Sequence, residues 1–334
     1  MGLNILAIET SCDETAAAVV KDGREVVSRS LYTQIEIHKE YGGVVPEIAS
    51  RNHVKKLPQV VETAVREAGG WERIDALAVT NGPGLVGALL TGVSYAKGLA
   101  YVLKKPLVPV HHIAGHICAN YVSHPELEPP FLCLVASGGH TQIVWAKDYT
   151  EYETLGRTRD DAAGEAIDKV ARVLGLPYPG GPNLQELAKR GDEEKYQFPH
   201  SFRGETHLDF SFSGLKTAVI NMLHRFGQAG EPYKKEDVAA SFLKNVADTL
   251  VKNTFEAARR THAGTVAVAG GVSANEQIRA AFEKKAKEEG IRLYFPEPEY
   301  CTDNAVMIAS CAYYEYLKGA RAGLDLNAEP VMDL

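Results

Sequence analysis

The sequence predicts an α/β protein of two lobes with duplicated architecture, the lobes facing a shared cleft. Three observations carry that reading. Short apolar runs of strand type alternate with stretches of helical periodicity along the chain. Two similar hairpins each open one half of it. Its 334 residues suffice to bury a large core and to build two lobes.

The first hairpin is a strand over Leu3 to Ile8, a polar turn Glu9-Thr-Ser-Cys-Asp-Glu-Thr15, and a strand over Ala16 to Val20. Such a turn either offers backbone N–H groups and hydroxyls to a phosphate or simply reverses the chain. Gly42 to Arg51 turns into a helix that continues through Val54, Leu57, Val60, Val61 and Ala64 at helical spacing. Ile74 to Thr80 reads as a strand, Asn81-Gly-Pro-Gly84 as a tight turn, and Leu85 to Leu103 as an apolar helix. A strand over Pro106 to Val110 then leads into a helix beginning near His112.

The second hairpin repeats the first. Phe131 to Ala136 is an apolar strand, Ser137-Gly-Gly-His-Thr141 a turn, and Gln142 to Ala146 a strand. Its two glycines let the backbone come close to a ligand. A helix through Val173 follows, with Asp161, Glu165, Asp168 and Lys169 on neighbouring faces, a pattern that a solvated face also explains. Tyr178-Pro-Gly-Gly-Pro182 reads as a rigid, irregular wall. Asp209-Phe-Ser-Phe-Ser-Gly-Leu-Lys216 sets hydroxyls and a lysine at a helix entrance, where an anion could sit. Helices are expected over Thr217 to Phe226 and Lys235 to Arg260. Thr265 to Ala269 reads as a buried strand, Gly270-Gly-Val-Ser-Ala-Asn275 as a turn, and Glu276 to Glu289 as a helix.

Composition narrows the function. A net charge of −7 argues against a protein that coats nucleic acid, although a local basic patch can still hold phosphate. Five cysteines without a Cys-x-x-Cys fit reduced thiols in a cytosolic protein. The start of the chain, Gly2 to Glu9, lacks the basic start of a signal peptide and runs straight into a strand pattern. Ala76 to Ala96 is uncharged, but its Asn81-Gly-Pro-Gly84 turn favours strand, turn and helix over a membrane span. A cytoplasmic protein without a membrane segment is expected.

The chemistry concentrates at His112 and His116. Four residues apart on a helix, their imidazoles project from one face, a spacing that suits two nitrogen ligands of one metal ion. A pair that merely lines a helix has the same spacing. Near the far end, Cys301-Thr-Asp-Asn-Ala305 brings Asp303 close to the start of an apolar helix. Asp303 either completes a His-His-Asp site or, with Thr302, caps that helix.

Taken together, Ile8 to Thr15, Asn81 to Gly84, His112-Ile-Ala-Gly-His116, Ser137 to Thr141, Gly164-Glu-Ala-Ile-Asp-Lys169, Gly180-Gly-Pro182, Phe210 to Lys216, Gly270 to Asn275 and Cys301 to Ala305 closely resemble one family. It is the bacterial TsaD family of tRNA N6-adenosine threonylcarbamoyltransferases, once labelled glycoprotein endopeptidases. The likeness runs from Ile5 to about residue 320, and His140 matches the bacterial branch.

The resemblance implies a two-lobed actin-like ATPase fold of the sugar kinase, Hsp70 and actin type, with sheet-and-helix lobes around a central cleft. The lobes would comprise residues 1–128 plus 302–325, and residues 129–301. The reaction implied is transfer of the threonylcarbamoyl group from threonylcarbamoyl-AMP to N6 of adenosine 37 in tRNAs reading codons that begin with A. His112, His116 and Asp303 match the family's metal ligands, for Fe2+ by resemblance, with Zn2+ accepted by the same donor set. Val135, Ala136, Ser137, Gly138, Gly139, Asp168, Gly181 and Asn275 match substrate-binding positions. Gln185 departs from the family, many of whose members carry an aspartate there. No residue is identified as a general base. The partners implied are tRNA, an ATP/ADP/AMP-type nucleotide, a smaller TsaB-like paralogue forming a heterodimer, and a TsaE-like ATPase.

Three other functions compete. A metal-dependent peptidase of the helical zinc type needs a glutamate beside its first histidine, where this chain has Ile113. A kinase of the same fold needs no His-His-Asp metal. A nucleotide-gated scaffold would survive loss of His112.

Overall fold

The structure, a computed structural model, describes residues 2–199 and 207–334. In chain order its elements are β1 (Asn4–Glu9), β2 (Glu14–Lys21), β3 (Glu25–Thr33), α1 (Ile35–Lys39), α2 (Pro46–Glu67), β4 (Ala76–Gly82), α3 (Val86–Leu103), β5 (Leu107–His111), α4 (His112–Ser123), β6 (Phe131–Ala136), β7 (Thr141–Asp148) and β8 (Glu151–Arg157). They continue as α5 (Ala163–Val173), α6 (Gly180–Ala188), α7 (Ser213–Ala229), α8 (Lys235–Thr261), β9 (Thr265–Ala269), α9 (Glu276–Glu289), β10 (Arg292–Tyr294), α10 (Pro298–Cys301) and α11 (Ala305–Lys318).

Two compact units result, one from Met1–Pro129, Ala146–Tyr152 and Pro296–Leu334, the other from Pro130–Trp145 and Glu153–Phe295. Each holds a five-stranded sheet, ordered β3-β2-β1-β4-β5 and β10-β9-β6-β7-β8. In the first sheet β2 runs antiparallel to β1 and β3, while β1, β4 and β5 are parallel. In the second, β6, β9 and β10 are parallel. The central strands are buried along their length, as sheets covered on both faces require.

In the first unit the apolar stripe of α2 (Leu57, Val60, Val61, Ala64) packs with Leu6, Ile8, Val19 and Val79. In the second, α5, α7, α8 and α9 supply Ile167, Val170, Leu215, Phe242, Leu250 and Phe282 to a core built on Leu132, Leu134, Val266 and Val268.

Among the described residues one helix, α3, is long and apolar enough to cross a bilayer by length and composition. It stands where strand, turn and helix were expected, and it buries Leu89, Gly92, Val93 and Ala96 in the first unit. All five cysteines are free. At Tyr178 to Pro182 an irregular wall was expected, but the chain enters α6 at Gly180, with Pro182 in its first turn, where a proline costs no hydrogen bond.

Candidate metal centre and ligand-binding loops

The metal candidates lie wholly within the first unit. β5 passes into α4 without a loop, so His112 is the first helical residue. The ring of His111 accepts the Ile113 N–H at 3.1 Å and closes the helix start. One turn on, His116 faces the same side, and the two rings meet edge-on at 4.7 Å between centroids. α11 packs along α4, and a buried Gly115 lets Ile308 approach. The segment before α11 thereby carries Asp303 to the histidines.

Asp303 Oδ1 lies 3.2 Å from His116 Nε2 and 3.5 Å from His112 Nε2. The three residues offer ligand atoms that all fall within 4.8 Å of one another. Neither Asp303 nor Thr302 caps α11. That role falls to Asn304, whose Oδ1 accepts the Met307 N–H at 2.9 Å, so the aspartate is left for the imidazoles.

Burial and charge set the protonation. His112 and His116 are buried, and the Asp303 side chain is 21% exposed. Burial works against a charged His112, but the Asp303 and Glu9 carboxylates outweigh it and hold its pKa up at about 10. For His116 burial wins, and its pKa falls below the ordinary value. Burial would raise the Asp303 carboxyl, yet the two imidazoles hold it well below the usual carboxylate range.

A divalent ion fits these groups. His116 Nδ1 is buried without a hydrogen-bond partner, and its Nε2 faces the Asp303 carboxylate at 3.2 Å; a buried polar atom left unpaired costs about 1–3 kcal/mol. Two imidazoles and one carboxylate are a donor set for zinc or iron, with coordination positions to spare. The His112/His116/Asp303 group could therefore hold a metal.

Sequence reasoning passed over two neighbours. Glu9, at the end of β1, is fully buried, and its Oε2 lies 3.1 Å from His112 Nδ1. The hydroxyl of Ser11 is also 3.1 Å from that nitrogen. The only signal in the sequence was a charged residue closing an apolar strand.

The expected substrate residues all lie in the second unit. Val135 and Ala136 end β6 with buried side chains, so only their backbone can meet a ligand. Ser137 to His140 is a closed turn, in which the Ser137 N–H donates to the His140 carbonyl at 2.8 Å and the His140 N–H to Ser137 Oγ at 3.1 Å. Gly138 and Gly139 stand exposed at its tip. A Cβ on either would meet nothing within 4 Å, which leaves open space for a ligand.

β6 pairs in parallel with β9, Val135 opposite Ala269, so this turn and Gly270 to Asn275 leave the same edge of the sheet. Loops at the carboxyl ends of parallel strands are where α/β sheets bind ligands. Gly270, at φ 87°, passes so close to the Ala136 carbonyl that a Cβ would lie 2.4 Å from it. The remaining residues adjoin these loops. The Gly164 N–H donates to the Ser137 carbonyl at 3.1 Å, Asp168 Oδ1 accepts the Gly181 N–H at 3.2 Å, and Asn275 caps α9 through the Ile278 N–H at 3.1 Å. Gln185 Oε1 accepts the Glu276 N–H at 2.9 Å, so the departing residue joins α6 to the start of α9.

The anion expected at the Ser211 to Lys216 helix entrance is the chain's own Asp160. Its carboxylate accepts from Ser211 Oγ, Ser213 Oγ and the amides of Phe212 and Ser213 at 2.5–3.2 Å. Lys216 is paired with Asp161, at 2.9 Å.

Comparison with known proteins gives the family and the fold. The family model for TsaD, tRNA N6-adenosine threonylcarbamoyltransferase, matches residues 25–310. A tRNA N6-adenosine threonylcarbamoyltransferase of Clostridium botulinum (strain 657 / Type Ba4) is 54% identical over 333 residues, covering 99% of this chain and 98% of that protein. Among solved structures, full-length HypF in a phosphate- and nucleotide-bound form gives a TM-score of 0.64 at 13% identity, over 96% of this chain and 47% of that one. Component A of the (R)-2-hydroxyglutaryl-CoA dehydratase of Acidaminococcus fermentans gives 0.55 at 15% identity, over 94% and 99%. These distant neighbours share the actin-like ATPase fold with this chain. The near full-length identity decides the family: the chain belongs to TsaD, the tRNA N6-adenosine threonylcarbamoyltransferases.

Proposed function

We propose that this chain transfers a threonylcarbamoyl group from threonylcarbamoyl-AMP to N6 of adenosine 37 of tRNA, with His112, His116 and Asp303 as its metal ligands. The observation that carries the reading is the convergence of the three side chains on one buried point within a member of this family. Fe2+ is the ion proposed, with Zn2+ the alternative that the donor set accepts.

The chemistry is attack by a weakly nucleophilic exocyclic amine on a carbonyl flanked by nitrogen. A C–N bond forms, the bond from the carbonyl carbon to the phosphate oxygen breaks, AMP leaves, and the amine gives up a proton. When bound, the ion would supply Lewis acidity and orient the threonyl portion. The second unit's residues would hold the adenylate: the exposed Gly138 and Gly139 accept a close backbone approach, and Asn275 keeps its Nδ2 for a ligand while its Oδ1 caps α9. Asp168 orients Gly181. Proximity supplies most of the rate in this reading, since well-oriented reactants save about 7–11 kcal/mol of barrier.

The family likeness supports further assignments: a TsaB-like paralogue as heterodimer partner, a TsaE-like ATPase as transient partner, tRNAs reading codons that begin with A as substrates, and the cytoplasm as the place of work. The test is mass spectrometry of nucleosides from tRNA incubated with the protein, these partners and threonylcarbamoyl-AMP. The wild type should yield N6-threonylcarbamoyladenosine, and His112→Ala or Asp303→Ala should abolish it together with bound metal. Full modification by a metal-free variant would refute the assignment.

A further inference from the structure

The two histidines are not equivalent. His116 has no partner on Nδ1, whereas His112 Nδ1 faces a buried carboxylate. We propose that Glu9 is a positioning residue of the metal site, fixing His112 as the Nδ1–H tautomer and aiming its Nε2 lone pair at the point shared with His116 and Asp303. The proposal rests on the reading that these three residues hold the ion.

The argument is a hydrogen-bond count. Glu9 closes β1, and the parallel register that sets Ile8 opposite Val79 brings Thr80 beside it. Its Oε1 accepts the Ser11 N–H, and its Oε2 accepts Thr80 Oγ1 at 2.7 Å while facing His112 Nδ1 at 3.1 Å. An ionised carboxylate only accepts, so a favourable contact requires the hydrogen to sit on Nδ1. Once the ring is neutral, as a metal ligand must be, it then presents Nε2 bare, on the side of Asp303. Ser11 Oγ cannot make this choice, because a hydroxyl suits either tautomer. A carboxylate behind a ligating histidine sets ring orientation and basicity, and its loss costs about 10–100-fold in metal affinity.

Glu9→Gln separates this role from a structural one. The amide keeps the volume of the side chain and a carbonyl for the Ser11 N–H. Its NH2 takes the place of Oε2 and donates to Nδ1, which drives the hydrogen onto Nε2 and blocks the ligand. The test titrates the full-length apoprotein with Co2+ against a competing chelator, reading affinity and the ligand-field absorption bands. Thermal unfolding of the apoprotein runs alongside, and His112→Ala marks loss of the site.

Glu9→Gln is expected to unfold cooperatively like the wild type, to bind Co2+ about 10–100-fold more weakly, and to shift the bands. Wild-type affinity with unchanged bands would overturn the proposal and leave the metal site standing. Should His112→Ala bind Co2+ as tightly as the wild type, the metal reading falls and the proposal with it. Should Glu9→Gln fail to fold, Thr80→Val, which removes the hydroxyl that holds Oε2 in place against Nδ1, is read in the same titration. A several-fold loss of affinity there supports the proposal, and no change overturns it.

Discussion

Metal binding at His112, His116 and Asp303 should release a single proton, and the count follows from three protonation states. Before an ion arrives, His112 is held charged, with its pKa at about 10 against an ordinary 6.5, because Asp303 and Glu9 overcome the cost of burial. His116 is held neutral, chiefly by burial, and the imidazoles keep Asp303 ionised despite its burial. An ion needs one lone pair from each ligand, so His112 alone must surrender a proton. Apparent affinity should therefore rise about tenfold per pH unit, or about 1.4 kcal/mol, from near pH 7 until it levels off close to pH 10. Calorimetric titration in buffers of differing ionisation enthalpy reads the count directly, as the slope of observed heat against buffer enthalpy. A slope near zero would mean that His112 is already neutral, and a slope near two that His116 also carries a proton; either refutes the reasoning. The same shift bears on stability. Because the folded pKa lies above the ordinary value, the pairing stabilises the metal-free protein fully below about pH 6.5, and that contribution is lost as pH rises through about 10. The metal-loaded protein should show no such alkaline loss.

Three further outcomes test the second unit. Gly164→Ala sets a Cβ 2.6 Å from the Ser137 carbonyl oxygen and 2.9 Å from Gly138 Cα. It should destabilise by about 1–3 kcal/mol in denaturant titration and weaken adenylate binding, since the backbone it displaces is the exposed turn itself. Asn275→Ala removes the acceptor for the Ile278 N–H and should cost about 1 kcal/mol of stability while weakening nucleotide binding in fluorescence titration; metal affinity should not change. Asp160→Ala should cost about 1 kcal/mol through the start of α7, read in thermal unfolding. The hydroxyls and amides bound to Asp160 hold its carboxyl below the ordinary 3.8 although burial opposes them, so its contribution is full above that pH and fades as pH falls through the lowered value.

What the sequence could show of this site was limited by the range over which its patterns act. The 3.6-residue period places His112 and His116 on one face because both belong to α4, and the structure keeps them there. No period connects α4 to Asp303, because the whole second unit intervenes, and only the family resemblance joined them. Thr302, Asp303 and Asn304 are three successive residues of capping type, so composition could not choose among them. The choice of Asn304 is what leaves Asp303 for the imidazoles. Asp160 and the Ser211 to Ser213 turn show the same limit. A helix entrance rich in donors was legible, but its anion came from the chain itself, some fifty residues earlier. The strands left unread were β3, β8 and β10, and each is an edge strand carrying exposed residues, where apolar alternation is weakest.

Glu9 takes this reasoning one step further, because its meaning depends on partners from three parts of the chain. In sequence it is an acid at the end of a strand, and a turn explains it well. In the fold, β4 supplies Thr80, the turn after β1 supplies the Ser11 amide, and α4 supplies His112. A carboxylate buried at the end of an apolar strand is costly unless its partners are donors, and all three of these can be. The same burial that makes the group expensive makes its geometry decisive, since an acceptor with no water to turn to can impose a tautomer on its neighbour. An exposed glutamate at that distance would leave His112 free to present either nitrogen.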